Sequence, residues 1–86
     1  MTNYWEDETP EIVETSRNVL SLYKEAERLQ IALPEWTDKD GNERRGKYVT
    51  LNITALTESD AATMRAALKL FNFIIGRLNK CLEIIE

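Results

Sequence analysis

Apolar residues recur at intervals of three and four along the last thirty residues of the chain. This spacing places them on one stripe of an α-helix, as at the seam of a coiled coil. The stripe comprises Ala61, Met64, Leu68, Phe71, Ile75, Leu78, Leu82 and Ile85. Thr57 with Asp60 three residues later is typical of a helix start, because such side chains cap the exposed amides of the first turn. The pattern predicts a long helix over residues 58–86.

A second apolar row lies beside that stripe. It comprises Ala67, Leu70, Ile74, Cys81 and Ile84, and it is interrupted only by Arg77. The apolar surface is therefore wider than contact with one neighbouring helix requires. We expect the excess to bind another molecule. The expected interface residues are Leu70, Phe73, Ile74, Cys81 and Ile84.

The same spacing occurs in the part of the chain that precedes Pro34. Its members are Ile12, Thr15, Val19, Leu22, Ala26, Leu29 and Leu33. Pro10 suits the first position of a helix, and Pro34 disfavours helical backbone in the residue before it. These features predict a first helix over residues 10–33. The alternative is that residues 31–37 form an extended edge strand that carries Pro34.

Residues 35–53 are predicted to form a β-hairpin. Alternating polarity in its second strand places Val49, Leu51 and Ile53 on one face and Tyr48, Thr50 and Asn52 on the other. Two strands alone are marginally stable in water. We therefore expect the apolar face of this hairpin to lie on the helices, or the hairpin to pair with an edge of another chain.

The turn of the hairpin contains Gly41, which tolerates the positive φ angle that tight turns require. Like charges opposite one another destabilise a strand pair. This argues against a register that places Asp38 opposite Glu43. We expect Asp38 to lie opposite Arg44 or Arg45.

Together these elements predict an α+β fold of the type helix–β-hairpin–helix, with two long antiparallel helices. Residues 1–8 form an acidic tail ahead of the first helix. Its aromatic residues, Tyr4 and Trp5, either dock on a partner or fold back over that helix, where they would leave water.

The length of 86 residues gives a domain of marginal stability, because a small chain buries a small fraction of its surface. A single cysteine excludes an intramolecular disulfide, and the absence of histidine leaves poor ligands for zinc or copper. Oligomerisation is the remaining source of stability. We expect one domain, residues 1–86, that forms a homo-oligomer, and a dimer with a four-helix core is the simplest form.

The net charge of −4 is modest, and charges of both signs are interspersed, which argues against a nucleic-acid-binding tail. The start of the sequence has neither the basic region nor the apolar segment of a signal peptide. No apolar run approaches the roughly 20 residues that span a bilayer. We expect a soluble cytoplasmic protein without a membrane partner.

Groups that could carry catalysis are few. Without histidine, Ser-His and Cys-His nucleophiles are excluded. Cys81 lies on an apolar row, which favours burial over reactivity. Residues 38–43 have the composition of a calcium loop but not its spacing, since Gly41 in sixth place puts Trp36 first and Lys47 twelfth. We expect neither enzyme activity, nor a cofactor, nor a metal ion.

One cluster has the composition of an anion-binding site, because guanidinium groups bind phosphate and aromatic rings stack on bases. It comprises Trp36, Lys39, Arg44, Arg45, Lys47 and Tyr48. The structural alternative is that these charges only keep a hairpin edge soluble.

The leading hypothesis is a non-enzymatic interaction protein that self-associates through its C-terminal helix and binds another macromolecule, which could be a protein. In size and lack of catalytic groups the chain resembles small accessory or inhibitory proteins of phages and other mobile elements. The alternative hypothesis is a protein that binds a nucleotide or single-stranded nucleic acid through the basic hairpin.

Overall fold

The structure is a computed structural model that describes residues 3–44 and 46–85. The strands are β1 (Glu11–Glu14), β2 (Val19–Tyr23), β3 (Arg28–Ala32), β4 (Trp36–Thr37), β5 (Glu43–Arg44) and β6 (Tyr48–Asn52). The helices are α1 (Tyr4–Asp7), α2 (Ile53–Thr57) and α3 (Ala61–Ile85). The chain divides into two compact units, one that ends at Thr54 and one that begins at Ala55. The expectation that they form a single domain stays a prediction.

The first unit contains a four-stranded antiparallel sheet with strand order β1-β2-β3-β6, and a separate two-stranded sheet of β4 and β5. In the larger sheet, Leu20 of β2 lies opposite Val13 of β1 and Ile31 of β3. Ile31 in turn lies opposite Val49 of β6. The register therefore continues across all four strands without a break.

The predicted helix–β-hairpin–helix fold is wrong, because residues 10–33 form three strands instead of the first long helix. Strands of four or five residues joined by short turns place apolar residues at intervals that also fit a helix. The alternation of Leu29 and Ile31 with polar Gln30 is the period of a strand. The alternative prediction of extended backbone from Ile31 overlaps β3, but β3 lies inside the sheet and not at its edge.

The two turns between these strands are closed in different ways. In the β1–β2 turn, the Thr15 hydroxyl oxygen accepts hydrogen bonds from the amides of Asn18 at 2.9 Å and Arg17 at 3.1 Å. The β2–β3 turn contains Glu27, whose φ angle is 55°. This left-handed conformation is uncommon for residues other than glycine and closes the turn without one.

The larger sheet has one face made almost entirely of aliphatic side chains. Residues opposite each other on neighbouring antiparallel strands share a face, so the register assigns its members directly. We call this the aliphatic face, and it comprises Val13, Leu20, Leu22, Leu29, Ile31, Val49 and Leu51. Val13 and Val49 are exposed. The alternation predicted for residues 48–53 is confirmed for Tyr48 to Asn52, which pair with β3 as β6. It is wrong for Ile53, which begins α2.

The opposite face of the sheet carries Tyr23, the only hydrophobic residue of the described chain that is buried. The Tyr4 ring of α1 meets the Tyr23 ring edge-on, with centroids 4.9 Å apart. The Gln30 side-chain amide donates a hydrogen bond to the Tyr4 hydroxyl at 3.2 Å. Tyr4 therefore folds back onto the rest of the chain, which was one of the two predictions, but it contacts a sheet and not a helix.

The predicted hairpin over residues 35–53 is present only in part. Its turn joins β4 to β5, but the second strand is divided, and β6 pairs with β3 of the larger sheet. The register places Trp36 opposite Arg44 and Thr37 opposite Glu43. Continued by one residue, it leaves Asp38 opposite Asn42, so the registers predicted for Asp38 are wrong.

The physical reason is the turn itself. The Asp38 carboxylate accepts hydrogen bonds from the amides of Asn42 at 2.9 Å and Asp40 at 3.0 Å. Gly41 follows with a φ angle of 83°, which an L side chain disfavours. The Asp38 side chain therefore stabilises the turn through backbone amides, and its position is not set by the charge of a residue on the opposite strand.

The second unit contains α3, which agrees with the predicted C-terminal helix but begins later. Asp60 caps it, since its Oδ1 accepts a hydrogen bond from the Thr63 amide at 2.7 Å. The Thr63 hydroxyl and this amide hold the pKa of Asp60 below its ordinary value. Thr57, the predicted cap, instead ends α2. Neither α3 nor any other helix in residues 3–44 and 46–85 meets the length and apolarity that a membrane crossing requires.

Candidate interaction surfaces

The predicted interface residues of α3 share one side of the helix. An α-helix turns about 100° per residue, so the five residues fall within an arc of roughly 100°. They are Leu70, Phe73, Ile74, Cys81 and Ile84. The coiled-coil stripe that includes Leu68 and Leu78 occupies the adjoining arc. The two rows together leave only one narrow side of α3 polar, which includes Lys69, Asn72 and Lys80.

These side chains are exposed in the protomer. Leu70 and Phe73 are each 70% exposed, and Ile84 is 80% exposed. Ile74 and the Cys81 thiol are exposed as well. An exposed apolar patch of this extent on a small protein usually marks a contact with another molecule.

The aliphatic face of the sheet is a second apolar surface, which was not predicted from the sequence. It depends on the register of four strands, which brings together residues as distant in sequence as Val13 and Val49. The alternation of Leu20 with Leu22 and of Leu29 with Ile31 is the sequence signal that could have identified it. The three-and-four spacing obscured that signal.

The structure brings together part of the predicted anion-binding cluster. Cross-strand pairing places Trp36 and Arg44 on the same face of the β4–β5 hairpin. The Arg44 Nε donates to the Asp38 carboxylate at 2.8 Å, so this guanidinium already has a carboxylate partner. The Asn42 amide is the largest cause of the lowered pKa of Asp38, and Arg44 contributes to it.

The remaining members of that cluster are divided among different elements. Lys39 is exposed in the β4–β5 turn, whereas Tyr48 begins β6 of the larger sheet and Lys47 directly precedes that strand. Arg45 lies outside the described residues. The predicted anion-binding cluster is therefore divided between the two sheets and does not lie in one hairpin.

A cleft of about 470 Å³ opens on the face of the sheet that carries α1. Its lining includes three aromatic side chains, Trp5, Tyr23 and Tyr48, and two polar ones, Gln30 and Glu35. The Gln30 side-chain amide already donates a hydrogen bond to Tyr4, so it connects α1 to the sheet. This cleft was not predicted from the sequence, because it depends on α1 folding back onto the sheet.

Within the ranges that the structure describes, no group of three or more acidic or cysteine side chains is arranged to hold a metal ion. The chain matches no protein-family model, no curated protein and no solved structure.

Proposed function

We propose that this chain is a non-enzymatic interaction protein that self-associates through α3 and acts by binding another macromolecule. The observation that carries the proposal is the exposure of Leu70, Phe73 and Ile84 on one side of α3. Contact of these apolar side chains with water is unfavourable. Contact with a second copy would remove this surface from water.

Burial of the exposed side chains of α3 would contribute a large free energy of association. Burying one Leu, Ile or Phe side chain contributes about 1.5–3 kcal/mol, so four of them contribute on the order of 10 kcal/mol. That is comparable with the whole stability of a small domain, about 5–15 kcal/mol. Within the described chain Tyr23 alone is a buried hydrophobic residue, so the protomer has little core to supply this stability itself.

The test is sedimentation equilibrium of the full chain over a wide range of concentration, for the wild type and the Ile74→Asp variant. A carboxylate at this position would lose its hydration in the assembled state, which is unfavourable. We expect self-association about 100-fold weaker, which corresponds to roughly 3 kcal/mol. Asn72→Asp is the matched control, because it adds the same charge on the polar side of α3 and should leave association unchanged.

Two results would count against the proposal. One is a wild-type protein that stays monomeric at the highest concentration. The other is an Ile74→Asp variant that associates as strongly as Asn72→Asp. Circular dichroism of each variant separates loss of association from loss of the helix.

Binding of an anionic ligand, a nucleotide or single-stranded nucleic acid, is the alternative proposal. The observation in its favour is that Trp36 and Arg44 share one face of the β4–β5 hairpin. In a Trp5→Phe background, Trp36 is the only tryptophan and its fluorescence reports binding there. We expect the affinity to fall with salt, and its salt dependence to weaken when Arg44 becomes alanine. If neither nucleotides nor single-stranded nucleic acid changes the Trp36 fluorescence at low salt, this alternative is wrong.

A cytoplasmic location and a role like that of the accessory or inhibitory proteins of mobile elements belong to the same proposal. Exposure of the Cys81 thiol agrees with a reducing compartment. The second macromolecule is best sought by capture from the native host, with Ile74→Asp as the comparison bait. A partner retained by the wild type and lost by this variant would use α3.

A further inference from the structure

The two edges of the larger sheet differ in chemistry. At one edge, β1 follows Pro10 and carries Glu11 and Glu14, and the Glu11 carboxylate pairs with the Lys24 ammonium at 2.6 Å. Charges and prolines at an edge are common devices against strand pairing between molecules. The β1 edge is therefore protected.

The β6 edge has none of these devices. Its five residues, Tyr48 to Asn52, include no charge and no proline. Its β-branched and aromatic residues favour strand pairing. Tyr48 is 62% exposed and Val49 is 66% exposed, so most of the surface of each side chain is accessible to water.

The hydrogen-bond pattern shows which backbone groups face outward. The Leu33 amide donates to the Lys47 carbonyl at 2.8 Å, and the Ile53 amide donates to the Glu27 carbonyl at 2.9 Å. Both bonds lie in the β3–β6 register, so odd-numbered residues of this segment bond to β3. In an antiparallel pair the intervening residues point their amides and carbonyls the other way. Those of Tyr48 and Thr50 therefore point away from the sheet.

We propose that β6 pairs antiparallel with β6 of a second copy, about a two-fold axis at Val49. In this register Tyr48 of each copy lies opposite Thr50 of the other. Each such pair exchanges two backbone hydrogen bonds, which uses the outward amides and carbonyls of both residues. The contact is separate from α3, so it adds a second interface to the proposed function and does not depend on it.

A second copy fits this edge better than it fits the other. Two β6 strands bring no like charges together, because the strand has none. Two β1 strands would bring the carboxylates of Glu11 and Glu14 together, and like charges opposite one another are destabilising. The two-fold pairing also places both aliphatic faces on one side, with Val49 against Val49 of the second copy. The joined sheet then presents one continuous aliphatic surface, to which each copy contributes seven side chains.

The register makes a specific cross-linking prediction. Because the amide and carbonyl of Val49 face β3, the two Val49 residues would form a pair without mutual hydrogen bonds, with Cα atoms about 4.5 Å apart. That separation lies within the range of a disulfide. The Thr50 residues of the two copies would be offset by two positions, which puts their Cα atoms beyond the roughly 7 Å that a disulfide can bridge.

The experiment compares Val49→Cys with Thr50→Cys, both in the full chain with Cys81→Ser so that no other thiol is present. After mild oxidation we expect a disulfide dimer from Val49→Cys at least ten times more abundant than from Thr50→Cys. Equal yields, or no dimer from Val49→Cys, would overturn the proposal. Sedimentation that still shows a wild-type oligomer in that case would leave the α3 proposal intact.

A second variant tests the hydrogen bonds themselves. Thr50→Pro removes an amide that β3 does not use, so proline is compatible with this edge position. We expect Thr50→Pro to weaken dimerisation at least tenfold, measured in an Ile74→Asp background by sedimentation. Thr50→Val retains the amide and should keep the dimer. If both variants dimerise equally, the backbone of β6 does not form the contact.

Discussion

The Glu8 carboxylate Oε1 lies 3.1 Å from the backbone nitrogen of Ala26 and accepts the hydrogen bond of that amide. Its second oxygen, Oε2, accepts from the Glu25 amide, also at 3.1 Å. One carboxylate thus occupies two consecutive amides of the β2–β3 turn. These bonds connect the segment that contains α1 to the sheet.

Replacing Glu8 by alanine is expected to lower the free energy of unfolding by about 2 kcal/mol, because both amides lose a charged acceptor. Chemical denaturation followed by circular dichroism measures this change. Glu6→Ala is the control, since it removes the same charge from an exposed position of α1. Equal effects of the two substitutions would show that net charge, and not the two hydrogen bonds, accounts for the loss.

The Asp38 carboxylate gives the β4–β5 hairpin a pH dependence. The Asn42 amide, followed by Arg44 and the Asp40 amide, keeps its pKa below the ordinary value of 3.8. Because the pKa is lowered on folding, its contribution to stability is complete above the ordinary value and is lost as the pH falls through the lowered pKa. We expect Asp38→Asn to abolish this part of the acid dependence.

The measurement for Asp38 is an NMR titration of its carboxyl carbon between neutral and strongly acidic pH. In Arg44→Ala we expect the pKa to rise only part of the way toward 3.8, because the Asn42 and Asp40 amides remain. Asp40→Asn is the matched charge control and should leave the titration of Asp38 in place. A return to the full ordinary value in Arg44→Ala would mean that the ion pair, and not the turn, sets the pKa.

The C-terminal helix could be predicted because its signal is local and long. Apolar spacing runs through all of α3 without a competing period. Only the start of the helix differs, since the predicted cap is Thr57 and the observed cap is Asp60. Both residues can cap a helix, and the choice depends on α2, which ends at Thr57. The candidate interface on α3 is equally local, since helical spacing alone places Leu70 and Ile74 on one side.

The sheet could not be predicted in the same way, because strand pairing is not local. Turns such as the one closed by Thr15 join strands so short that a helical spacing fits them by chance. β-branched pairs such as Ile12 and Val13 favour strands, whereas Pro10 directly before them is typical of a helix start, so these local signals conflict. Local alternation can indicate single strands of the aliphatic face, but the complete face and the β6 edge depend on a register that connects distant parts of the chain, such as Val13 and Val49.

Gly46 lies where the chain enters β6, and its missing side chain is required there. A Cβ atom at this position would overlap the backbone of Leu33 and Pro34. We expect Gly46→Ala to lower the free energy of unfolding by about 3 kcal/mol, since the strand start must shift to relieve the overlap. Gly76→Ala is the contrasting substitution, because its Cβ meets nothing within 4 Å and alanine in a helix interior stabilises by about 1 kcal/mol. Denaturation curves of both variants give the comparison, and a Gly46→Ala protein as stable as the wild type would contradict the close approach of Gly46 to Leu33.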